Sequence, residues 1–170
     1  MEQAVEVRPD DSKMTIPGDG AVVCHMAQGE VDKWWPYVAP FVARAVERSL
    51  GEIGVPGIKE SIRGGSMQMW LVAELDKPGV RFTAACVTQV VDYESFSNLR
   101  IVIVGGEGFD RWKEKLFETI QRFATEQKCK YIEAVGRRGL EKKIACLGFE
   151  PKYVVYVRKV KRDGKDSRDD

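Results

Sequence analysis

One histidine, His25, stands in a chain of 170 residues, and the four cysteines, Cys24, Cys86, Cys129 and Cys146, never fall into a Cys-x-x-Cys pair. That removes the ligand spacings of zinc sites and the paired framework of disulfide-stapled domains, and reduced thiols in a cytoplasm are the expectation. No apolar run comes near the roughly 20 residues that span a bilayer, and no apolar stretch behind basic residues marks the start, so neither a membrane protein nor an exported one is expected. Charge of one sign is missing too: 27 Lys and Arg stand against 26 Asp and Glu, a formal net charge of +1. No overall field steers such a chain onto nucleic acid or an anionic surface, and any basic site has to be local.

What is present is enough apolar material for one core, 44% of the residues, with 31% charged. At this length a second independent domain would be cramped, which makes one α/β domain the expectation. Met1 to Gly20 is polar and broken by Pro9 and Pro17, and reads as an arm; Lys161 to Asp170 reads as a charged tail. Ala21 to Met26 is a short strand-like run. Val31, Trp34, Trp35, Val38, Phe41, Val42, Ala45, Val46 and Leu50 recur at three and four, predicting an amphipathic helix interrupted at Pro36 and Pro40, and one or two further turns fall around Ile58 and Ile62. Met67 to Glu74 and Val80 to Tyr93 flank Lys77-Pro78-Gly79 and predict an antiparallel hairpin. Asn98 to Val104 predicts a buried strand and Phe109 to Lys128 a long helix, with Trp112, Leu116, Ile120, Phe123 and Ala124 on one face. Tyr131 to Val135 predicts a strand parallel to the Asn98 strand, because a helical crossover separates the two. Tyr153 to Val160 alternates and predicts a last strand.

The segment Lys128 to Phe149 holds the densest signal. Gly136 and Gly139 bracket Arg137 and Arg138, Leu140, Ile144 and Leu147 follow at helical spacing, and Gly148 with Glu150-Pro151 stops the helix. A strand, a turn, a short helix and then Leu147-Gly148-Phe149 resembles the C-terminal half of the GCN5-related N-acetyltransferase (GNAT) superfamily. The element order matches that plan over about residues 21 to 160. Trp35-Pro36-x-x-Ala39-Pro40, Met67-Gln68-Met69-Trp70, Gly105-Gly106 and Gly136-Arg137-Arg138-Gly139 are similar to small GNAT-like proteins of tailed bacteriophages. The resemblance implies a single-domain GNAT-like mixed sheet, mostly antiparallel with one parallel splayed pair, flanked by helices. It also implies acetyl-CoA as cofactor and an amine acceptor, a small molecule or a protein, in a cytoplasm or a virion.

The same resemblance sets the expected site residues. The splayed strands hold the pantetheine arm, with Ile103 and Val104 lining it, and Gly105, Gly106 and Gly108 stand at the strand-to-helix joint where the family cradles phosphates. Matched backward from Leu147-Gly148-Phe149, the family's loop falls nearer Gly108 to Lys113, with Asp110 placed to cap the helix. Arg137 and Arg138 are expected as phosphate ligands or as exposed charges. Glu107 is the leading general base, ahead of Glu74 and His25, and Tyr153 and Tyr156 are the available acids, because Ile144 stands where the family often has a tyrosine. Trp34, Trp35, Phe41 and Trp70 are read as core or as an acceptor cleft. The alternative from another class is a GNAT fold without catalysis, a binding or structural protein. A nucleic-acid binder using the Arg137 turn and Lys159 to Arg162 is the less expected third reading, since nearby acids cancel much of its field.

Overall fold

The computed structural model describes residues 20–49, 51–76, 79–136 and 138–160. Most of the arm, Leu50, Lys77 and Pro78 of the hairpin turn, Arg137 and the charged tail lie outside the described residues. Contacts divide the chain into two compact units, with the boundary between Val135 and Gly136.

The first unit is built on a five-stranded sheet in the order β1-β2-β3-β4-β5, comprising β1 (Ala21–Met26), β2 (Gln68–Asp76), β3 (Gly79–Asp92), β4 (Ser97–Gly106) and β5 (Tyr131–Ala134). All neighbours are antiparallel except β4 and β5, which are parallel and joined by the helix α3 (Phe109–Glu126). This is the predicted mixed sheet. The helices α1 (Val31–Val46) and α2 (Val55–Arg63) lie between β1 and β2 in the chain. The helix α1 runs unbroken through Pro36 and Pro40, contrary to the expected interruption. Each proline removes one i→i−4 bond, and the burial of Val31, Val38 and Val42 on one stripe outweighs that loss.

One apolar cluster joins those valines to Ile58 and Ile62 of α2 and to Met69, Leu71, Ala85, Val87 and Ile103 of the sheet. On the strands these residues alternate, as one face of a pleated sheet requires. The α3 face carries Trp70, whose indole N–H donates to Thr88 Oγ1 at 2.9 Å, and Trp112, Leu116 and Ile120 of α3 are buried.

Two bulges change the alternation. Val87 faces Ile103 and Thr88 faces Ile101, so Val102 of β4 is left without an opposite residue; Thr83 of β3 is skipped in the same way between Val72 and Ala73. A bulge adds one residue to one strand and reverses the faces beyond it. Ile101 therefore stands opposite Thr88 on the Trp70 face, while Ile103, two residues on, packs into the α1 and α2 cluster.

The second unit contains α4 (Arg138–Ile144), a 3₁₀ turn (Ala145–Leu147) and Gly148 in the left-handed region at φ +83°, the expected C-terminal stop. The expected last strand is not formed. Residues 151–160 carry no regular element, and Tyr153 and Tyr156 are 94% and 90% exposed. The tyrosine and valine pattern is strand-like, but a strand exists only where its N–H and C=O groups find a neighbouring edge.

Candidate functional site

Pairing between β4 and β5 covers Asn98 with Tyr131 through Ile101 with Ala134 and goes no further. From the Val102 bulge to Gly106, β4 has β3 on one side and, among the described residues, no strand paired on the other, because β5 ends at Ala134. The half that stays paired is pinned by Glu133. Its carboxylate accepts from Asn98 Nδ2 at 2.9 Å, Arg100 Nε at 2.7 Å and the Tyr93 hydroxyl at 3.2 Å. Burial pushes the Glu133 carboxyl up, and the hydrogen bonds from Asn98 and Arg100 more than reverse it, leaving it below the usual carboxylate value.

At the open end, Gly105 and Gly106 are the last residues of β4 rather than a loop. Both are glycine because other chain segments come close. A Cβ on Gly105 would stand 2.5 Å from the Phe41 carbonyl oxygen of α1, and one on Gly106 2.5 Å from the Thr83 carbonyl oxygen. Only Glu107 and Gly108 separate β4 from α3, with Gly108 in the left-handed region at φ +68°. The Glu107 N–H donates to Thr83 O at 2.9 Å and the Trp112 indole N–H to Glu107 O at 2.7 Å, so this residue's backbone is held on both sides. Its carboxylate accepts from Arg44 of α1 at 3.1 Å in an exposed pair.

The expected loop over Gly108 to Lys113 is therefore corrected. Phe109 to Lys113 is the first turn of α3, Gly108 holds the cap position, and Asp110 accepts from Lys113 Nζ instead of capping. Nothing predicted Arg111. Its Nε donates to Glu74 Oε1 at 2.8 Å, Arg81 donates to Glu74 Oε2 at 2.8 Å, and the guanidinium lies over Gly108. Only 17% of the Glu74 side chain is exposed, and the Arg111 bond leads in holding its carboxyl below the usual range. A carboxylate fastened this way is a poor proton acceptor, which removes Glu74 as a base. The pair joins residues 37 positions apart and has no local sequence signal.

Of the other expected site residues, Val104 stands opposite Cys86 on the open stretch of β4, and Ile103 of the same stretch turns its side chain into the core. His25 of β1 shares a row of the register with Trp70, Cys86 and Val104, but β2 and β3 lie between it and the open stretch of β4, which keeps the histidine off that edge. Arg137 and the Arg138 side chain lie outside the described residues. Tyr153 and Tyr156 belong to the second unit, where no strand presents them.

Several solved structures that superpose on the chain are acetyltransferases. The aminoglycoside acetyltransferase meta-AAC0020, from an uncultured soil metagenomic sample and in complex with sisomicin, superposes with a TM-score of 0.60 at 10% identity, over 83% of this chain and 97% of that one. The glucosamine-6-phosphate N-acetyltransferase of Arabidopsis thaliana gives 0.56 at 10% identity over 84% and 100%. AAC(6')-Iy, in complex with the bisubstrate analogue CoA-S-monomethyl-acetylneamine, gives 0.58 at 15% identity over 82% and 98%. The fold is that of the GNAT acetyltransferases. No family model and no curated protein matches the chain.

Proposed function

We propose that this protein is a GNAT-type N-acyltransferase that moves an acetyl or similar acyl group from coenzyme A to an amine. The observation that carries the reading is the unpaired edge of β4 beyond Ile101, beside a bulge at Val102. An extended arm bearing amides can pair with such an edge through backbone groups alone, whatever the side chains. The residues fit that half of the cofactor. They fit the phosphate half on different terms from the family's, since the Glu107 N–H is spent on Thr83; the amides of Gly108 and Phe109 and the Arg111 guanidinium meet the phosphates.

Coenzyme A supplies the acyl group as a thioester. The amine nitrogen attacks the thioester carbonyl carbon, the C–N bond forms, the C–S bond breaks, and the sulfur leaves with the electron pair and takes up a proton. Glu107 is the carboxylate at the end of β4 that accepts the amine's proton, with Arg44 holding it in place. Gly105 lets α1 close over the strand end, and direct transfer then rests on positioning.

A second reading, a catalytically inactive binding or structural protein of bacteriophage type, is favoured by one observation: the joint between β4 and α3 has only two residues. Release of free coenzyme A thiol from acetyl-CoA, followed across a panel of primary amines, separates the two. Amine-dependent release that Glu107→Gln reduces about 10²-fold or more supports the transferase. Saturable acetyl-CoA binding with no release for any amine supports the inactive protein.

A further inference from the structure

A cavity of about 420 Å³ opens where β1 ends and β2 begins, lined by His25, Met26, Ala27, Gln28, Gly29, Ile62, Met67 and Gln68. It is separate from the open end of β4. Its His25 and Met26 share rows of the register with Val104 and Ile103, and the separation is across the strands. Two strands, β2 and β3, lie between β1 and β4, a lateral distance on the order of 14 Å. The size is that of a small-ligand site.

We propose that this cavity binds a small, uncharged, planar heteroaromatic molecule with a hydrogen-bond donor and acceptor on one edge, of nucleobase size. Met26, Ile62 and Met67 supply apolar, polarisable surface for the faces of a ring. Among the described residues no Asp, Glu, Lys or Arg lines the cavity, so a charged ligand would meet no counter-charge there. The polar groups are neutral and held in place. His25 stacks on Trp70 at 4.5 Å and 28° and meets Phe123 at 5.6 Å. Burial lowers its pKa, which keeps the imidazole neutral, with one nitrogen donating and the other accepting. Trp70 donates to Thr88 Oγ1, whose hydroxyl donates to Gln68 Oε1 at 3.2 Å, so Gln68 offers its amide N–H₂ as a donor. Gln28 lies against Gly65, where a Cβ would strike its amide, and brings a second carboxamide to the same rim. Paired donor and acceptor carboxamides over an apolar floor read the edge of a neutral heterocycle.

The test is nuclear magnetic resonance of the full chain titrated with free adenine, free cytosine, benzoate and a short oligodeoxyadenylate. Shifts of the Gln28 and Gln68 side-chain amides with at least one free base, and none with benzoate, are expected. Gln28→Leu should weaken that binding by about tenfold or more while leaving acetyl-CoA titration unchanged. Three results would overturn the proposal: no shift at those amides with either base, equal binding of benzoate, or binding of the oligonucleotide alone. Base-induced shifts confined to Val102–Val104 would also overturn it, because they would assign the ligand to the β4 edge.

Discussion

Arg100 of β4 and Glu133 of β5 stand opposite each other, Nε to Oε1 at 2.7 Å, one step before the parallel ladder ends. The same carboxylate takes the amide of Asn98, a buried residue, so one side chain ties together the stretch over which the two parallel strands pair. Glu133→Ala leaves both donors without this acceptor. It should lower stability by about 1–3 kcal/mol in urea unfolding, and an unchanged midpoint would show that the network holds nothing.

Gly105 tests the packing of α1 over the strand end. Gly105→Ala drives a Cβ against the Phe41 carbonyl and should cost about 1–3 kcal/mol, read as a lowered melting temperature. Gly79→Ala serves as the control, since a Cβ there meets nothing within 4 Å. Equal effects of the two would contradict the close approach.

Stability against pH should show two separate losses on acidification. His25 has its pKa lowered from 6.5 by burial, so the unfolded chain binds more protons once the pH drops through that value. Stability is complete above about 6.5 and declines below it until the folded-state value is passed. His25→Phe keeps an aromatic ring against Trp70 and should remove this decline below about 6.5. The lowered carboxyls of Asp32, Glu74 and Glu133 act later, with stability present above about 4 and lost below. A variant with the same slope as the parent near pH 6 would assign the upper decline elsewhere.

Arg111 is the cation at the start of α3. Arg111→Ala should weaken acetyl-CoA binding by about tenfold, with a smaller effect at high salt, and should also free the Glu74 carboxylate. Unchanged affinity at low salt would restrict Arg111 to a structural tie.

Much of the fold was legible because its signals are local. The Ala21–Met26 run, the hairpin around Lys77-Pro78-Gly79 and the Phe109 helix each follow from spacing within a few residues, and the parallel pair follows from the crossover between its strands. What escaped depends on distant partners. The Val102 bulge is set by which residues of β3 find opposite numbers, and Arg111 with Glu74 is set by how α3 lies on β2. Gly105 and Gly106 look like a turn in sequence, yet they are strand residues made small by Phe41 and Thr83. Residues 153–160 alternate convincingly and form no strand, because alternation supplies side chains and not a partner edge.

The open edge of β4 carries the functional reading, and amide hydrogen exchange tests it most directly. With saturating acetyl-CoA, peptides spanning Val102–Gly106 should exchange more slowly, while those spanning Asn98–Ile101, already paired to β5, should not change. Unaltered exchange at Val102–Gly106, whether the cofactor fails to bind or binds elsewhere, would contradict the account.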